Sequence, residues 1–421
     1  MIRSFKSCAA VVALGMTFSV VAHQAAEAAG YRITTTLRGL CRIDIADPCT
    51  PYNQFGPPVI SGDFVVFTTR QGPADGIWSY QISNKKIRKL AGFENRAPGG
   101  VGKFTAFGNA ASDFPTTVGG ETAVFFARDR DNVLGVYAVN VRGGAVSLIA
   151  DTRTAVPGGG GRLLTDLRFA STNGKVVAFY GLGSNNATGV FQANIDGTGL
   201  KTVIDSTDTE LDARTPSGVQ EDYFGIFTRP AVGKKFVNFY AGGLFDPVSG
   251  PNATFRADGG GFTDLVDNMT KLQRGSDGVH VRTGVVSADE KSHDIAVLAD
   301  QPGTNYGGVF KVQSVDQSLA LVTTKDKVPG VAAKFYSFSG FGFDSSGLAF
   351  TANYPDPVVG GYPTGVFFVD KPGGKIVTVA KSASGGLYLP FVGERSISNG
   401  VIAFTEGYNG VDTFYLATPK E

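Results

Sequence analysis

The chain holds 421 residues with 57 glycines, 42% hydrophobic, 11% aromatic and only 18% charged side chains. That composition excludes a disordered chain and describes a turn-dense, strand-rich globular protein. Thirty-eight Lys and Arg against 37 Asp and Glu leave a net charge of +1, so no overall field steers the protein toward nucleic acid or an anionic membrane.

Residues 1–29 read as a secretory signal. Arg3 and Lys6 precede the apolar run "CAAVVALGMTFSVVA", which is short for a membrane span, and Ala26 and Ala28 supply the small-residue spacing for cleavage. Cys8 lies ahead of the apolar run in a poor lipobox, and "DTFYLATPKE" at the C-terminus carries no sorting tail. The expectation is an exported chain, secreted or periplasmic, with no membrane span in its mature form. Residues 30–53 follow, with the strand-like "YRITTTL" (31–37) and Cys41 and Cys49 within "CRIDIADPC". In an oxidising compartment that pair forms a local disulfide; the alternative is two free thiols.

From residue 54 to 421 one phrase recurs seven times. An apolar run ends at Phe67, Phe126, Phe179, Phe239, Leu298, Phe350 and Phe404, spaced 52–60 residues apart. A second run follows each, ending at Trp78, Tyr137, Phe191, Phe255, Phe310, Phe367 and Phe414, and a third closes six of the seven. Every run is short, β-branched or aromatic, and bounded by Gly, Asn, Asp or Pro, the pattern of strands joined by tight turns. A fourth strand precedes the first run, as in "LLTDLRFAS" and "KFYSFSGFGF". Four antiparallel strands repeated seven times predict an all-β, seven-bladed β-propeller, with the seven first-run residues at equivalent buried positions. The seventh unit lacks its outer run, so residues 31–37 are expected to pair with it and close the ring; the alternative is an edge strand on the first blade.

"QANIDGTGLKTVID" resembles the outer hairpin of TolB-like propeller repeats. "NGKVVAF" (Asn173 to Phe179) and "NGVIAF" (Asn399 to Phe404) are similar to a tandem-repeat family of secreted bacterial proteins with an Asn/Gly…Ala-Phe signature. "SGDFVVF" and "KSHDIAVL" depart from that signature. The resemblance implies export and a propeller and no particular activity, because propellers host lyases, glycosidases, lectins and scaffolds alike.

Catalytic motifs are absent from the sequence. "PGGVGKF" lacks the leading Gly and the Ser or Thr of a phosphate loop, and "PGGGGR" occupies the same place one unit later, so both read as inter-blade loops. No G-x-S-x-G elbow occurs, and His280 and His293 have no partner at metal-ligand spacing, so neither a metal nor a cofactor is expected. Asp129, Asp131 and Asn132 could offer oxygens to calcium, but a solvated turn is the plainer reading. The sequons at Asn186, Asn252 and Asn268 matter only in a eukaryotic source.

One constellation remains. The segments assigned to channel-lining strands carry Arg168, Arg229, His280, Arg282, Glu394 and Arg395. Arginines in a shared cavity either receive a carboxylate, sulfate or phosphate, or brace the blades through Asp and backbone carbonyls. The expected function is non-enzymatic binding of a ligand, such as an acidic glycan, or of a protein partner over one face. One alternative is a polysaccharide-active enzyme, a uronate lyase or glycosidase, in which the arginines neutralise the carboxylate and His280 with Tyr336 or Tyr388 moves protons. A structural envelope or matrix protein is the other.

Overall fold

The computed structural model describes residues 30–38 and 54–420, apart from 71–74, 109–115, 185–186, 207–212, 215–219, 222–225, 243–251, 268–269, 271–281, 301–304, 315–316, 358–359, 383–388 and 409–410. The signal segment, Cys41 and Cys49 lie outside the described residues, as do His280, Tyr388, Asn186 and Asn268.

Seven antiparallel sheets of four strands, blades 1–7, span residues 54–92, 106–151, 164–205, 226–267, 282–323, 337–381 and 389–419, and no helix occurs among the described residues. Blade 7 takes its outer strand from the other end of the chain. Tyr31–Arg38 runs antiparallel to Val411–Pro419, with Tyr31 opposite Pro419, so the ring is closed by a strand from each terminus. This is the expected closing strand, and it removes the edge that the last sheet would otherwise leave open. A small extra ribbon pairs Ala213–Arg214 with Gln220–Glu221.

Packing follows from the ring. Seven apolar clusters occur, one at each blade interface, including that between blades 7 and 1, where Phe67 and Trp78 meet Phe414 and Leu416. A single sheet cannot bury both of its faces; each blade buries one against the blade before and one against the blade after.

The register explains the repeated Gly-Val-aromatic phrase. In blades 1–6 a bulge falls just before the aromatic of the third strand, at Trp78, Tyr137, Phe191, Phe255, Phe310 and Phe367. That residue faces the second strand's core position, and in five blades two rings meet there with centroids 5.2–5.9 Å apart: Phe125–Tyr137, Phe239–Phe255, Phe350–Phe367 and Phe404–Tyr415 stack, and Phe179–Phe191 is tilted by 31°. The ring two residues on folds back over the glycine. A Cβ on Gly135 would sit 2.8 Å from the Tyr137 ring, and one on Gly365 2.7 Å from that of Phe367.

Five of the seven expected core positions are the equivalent ones. In blade 2 the residue is Phe125, not Phe126, and in blade 5 it is Val297, not Leu298. The third-strand partner in blade 7 is likewise Tyr415, not Phe414. Phe126 is buried, but in the interface with blade 3. A strand buried on both faces carries apolar residues at every position, so hydrophobicity alone cannot set its phase. The Asp-Gly hairpin of blade 3 forms as expected: Asp196 and Gly197, at φ 82°, join Thr188–Asn194 to Lys201–Asp205.

Candidate functional site

The innermost strand of each blade runs from one face of the ring, the mouth, to the first turn on the opposite face. In blades 3 and 4 these strands, Leu164–Thr172 and Ile226–Val232, carry a bulge after Arg168 and Thr228. The residues inside or beside such breaks adopt left-handed backbone although they are not glycine: Phe169 at φ 49°, Arg229 at φ 47° and, in blade 7, Arg395 at φ 64°. Left-handed non-glycine residues cost about 1–3 kcal/mol each and persist only where surroundings hold them.

Arg395 shows what holds it. Its side chain is 10% exposed and its Nη1 lies 3.0 Å from Glu290 Oε2 of blade 5. Nη2 donates to the carbonyls of Thr172 (2.9 Å) in blade 3 and Val232 (2.8 Å) in blade 4. Its own carbonyl accepts from Ile60 N–H of blade 1 at 2.7 Å. Glu290 further accepts from Ser61 Oγ of blade 1 (3.1 Å) and Gly120 N–H of blade 2 (3.3 Å). One ion pair thereby ties six blades together at the non-mouth end of the channel. Blade 6 joins through Asp344, whose carboxylate accepts the Asn399 N–H of blade 7 at 2.7 Å.

Arg229 lies nearer the mouth. Its Nη1 is 3.0 Å from Glu394 Oε1, and its guanidinium sits 5.4 Å from the Phe169 ring centroid. Burial pushes the Glu394 carboxyl up from the usual range, while Arg229 and Arg395 pull it back. Arg168, still closer to the mouth, is paired within its own strand to Asp166 at 2.6 Å. Arg282 opens the inner strand of blade 5 opposite Asp300, and its side chain lies outside the described residues. Tyr336 stands on the mouth rim of blade 6, exposed, with its ring 4.7 Å from that of Tyr362.

Three of the four arginines assigned to channel-lining strands are thus each matched by a carboxylate: Asp166, Glu394 and Glu290. Glu290 and Phe169 escaped sequence reasoning; nothing local marks Glu290 as the partner of a residue 105 positions away. The two glycine-rich segments are inter-blade loops as expected. Asp129 forms a turn in which its carboxylate accepts from the N–H groups of Val101, Asp131 and Val133 at 2.9–3.0 Å, the geometry of a self-satisfied loop. Among the described residues no three or more His, Cys, Asp or Glu side chains converge as a metal set, and no helix is long and apolar enough to cross a membrane.

No family profile and no curated protein matches the chain. Solved structures do. The chain is similar to the β-propeller domain of the trilobed protease from Pyrococcus furiosus, at 8% identity and TM-score 0.53, covering 88% of this chain and 96% of that one. It is similar to an oligogalacturonate lyase in complex with manganese, at 10% identity and TM-score 0.54, covering 95% and 96%. A TolB protein from Agrobacterium tumefaciens follows at 10% identity and TM-score 0.37, covering 88% and 92%. At such identities the first two likenesses establish the fold, a seven-bladed propeller, and nothing of the chemistry.

Proposed function

We propose that this is an exported propeller of the secreted bacterial repeat type, which binds a ligand or partner through its mouth face without catalysing a reaction. The supporting observation is the Arg395–Glu290 lock. Arg395, 10% exposed, commits three of its five N–H donors to Glu290 and two backbone carbonyls, so its guanidinium is oriented by the ring and not toward a substrate carboxylate. Arg229 and Arg168 are likewise engaged, with Glu394 and Asp166. Export rests on the charged, apolar and small-residue order of residues 1–29.

The test uses pectate and alginate at neutral pH. A lyase would leave unsaturated uronates that absorb in the ultraviolet; the expected result is no rise in absorbance. Ultraviolet-absorbing product that depends on Arg168 or Arg229 would replace this reading with the polysaccharide-lyase one.

A further inference from the structure

Blades 2, 3 and 6 are entered through the same loop. Pro98-Gly99, Pro157-Gly158 and Pro329-Gly330 make the turn, with glycine φ of 67°, 72° and 70°. The N–H groups of Ala97, Val156 and Val328 then donate to the carbonyls of Gly102, Arg162 and Ala333. Each loop ends on a buried anchor: Phe104, Leu164 or Phe335.

The residue after the anchor is where blade 6 departs. Blade 2 has Thr105, whose hydroxyl donates to Asp129 O at 2.8 Å, and blade 3 has Thr165, whose hydroxyl donates to Leu182 O at 3.1 Å. Blade 6 has Tyr336. Its backbone is unchanged, since Tyr336 N–H reaches Asn353 O at 2.8 Å just as Thr105 N–H reaches Arg128 O at 2.8 Å. The side chain is another matter: Tyr336 is 60% exposed and meets Tyr362, 59% exposed, at a 46° tilt. The other exposed large hydrophobics among the described residues are Val101 and Leu163.

The space beside the pair also differs. In blade 2 the loop is capped by the next turn, with Arg130 N–H donating to Val101 O and the Arg130 stem lying against Gly102. In blade 6 the corresponding connection, 354–363, is longer and leaves an open groove of about 380 Å³, bordered by Ala332, Ala333, Pro355, Asp356 and Tyr362. A groove of that size is within the range of small-ligand sites. A blade that breaks its own repeat, trading a satisfied threonine for an aromatic ring in water, marks a position shaped by function.

We propose that Tyr336 and Tyr362 form a glycan-binding platform on the rim of blade 6, a reading that rests on the mouth face being the binding face. A pyranose has an apolar C–H face and a belt of hydroxyls. The tyrosine rings meet the first, and their phenols with the Asp356 carboxylate meet the second. Two rings tilted 46° do not make the parallel ridges that a polyproline helix slots between, and two tyrosines with small neighbours are too little apolar surface to hold a lipid bilayer.

Saturation-transfer NMR and calorimetry with cellohexaose, chitohexaose and hexagalacturonate, each against the full chain, test this. The expected result is binding of at least one hexasaccharide, weakened about tenfold in Tyr336→Ala and in Tyr362→Ala and retained in Tyr362→Phe, at unchanged melting temperature. The three sugars separate a neutral, an acetamido and a uronate source of the same ring. Binding that survives both alanine changes overturns the platform and leaves mouth-face binding standing. Failure of all three sugars to bind, or preferential binding of a proline-rich decapeptide, also overturns it.

Discussion

The two faces of this ring are built from the same seven repeats and use them in opposite ways. On the non-mouth face the first turns converge on Arg395 and Glu290, and every exception to the repeat there, a charged pair and a left-handed arginine, is absorbed by hydrogen bonds between blades. On the mouth face the exception in blade 6, Tyr336, is not buried by its repeat: its ring meets that of Tyr362 and both stay exposed, 60% and 59%. A departure from a repeat is therefore informative only together with its partners. Departures that are satisfied internally serve stability, and those left facing solvent are the ones we propose for binding.

Substitutions on the two faces should separate accordingly. The largest losses are expected from Arg395→Ala and from the core rings. Removing one member of a buried pair leaves Glu290 uncompensated and frees two carbonyls, so urea unfolding should show about 3–5 kcal/mol lost. Unaltered stability would show that the six-blade tie is incidental. Phe179→Ala and Phe350→Ala should each cost about 3–5 kcal/mol as fully buried, paired core rings, whereas Leu298→Ala, half-buried and one step out of phase, should cost less than either. Equal costs would contradict the register.

Glu394 gives a pH-dependent contrast. Its folded pKa is raised, so folding favours the protonated form, and its relative contribution is greatest below the ordinary carboxylate range. That contribution is lost as pH rises through the raised value. The stability of the wild type minus that of Glu394→Gln should therefore fall between about pH 4 and neutrality. A difference that rises over the same interval would mean that Arg229, rather than burial, sets this carboxyl. The smallest effect belongs to the rim: Tyr336→Ala should change stability by no more than about 0.5 kcal/mol, as for other exposed positions.

Much of this architecture was legible in the sequence because strands, turns and their spacing are local. Trp78, Phe179 and Phe350 announce themselves by the glycine-bounded runs they end, and "YRITTTL" by having no other partner once the seventh unit is seen to be one strand short. The phase of blades 2 and 5 was not legible, since Val124-Phe125-Phe126-Ala127 is apolar on both faces and only the pairing with Tyr137 picks out Phe125. The partners of the arginines were hidden for another reason. Glu290 and Arg395 meet only because the ring closes, and closure is a property of all seven blades together. Tyr336 was noticed as a tyrosine near a channel strand; its setting beside Tyr362 depends on the longer loop of blade 6.

The central claim is that the channel's charges hold the ring together. A double-mutant cycle on Arg395 and Glu290, using Arg395→Met and Glu290→Gln singly and together in urea unfolding, tests it most directly. The account predicts a coupling energy of about 1–3 kcal/mol, the double variant losing well under the sum of the two singles. Additivity within about 0.5 kcal/mol would contradict it and return Arg395 to the pool of groups available to a ligand.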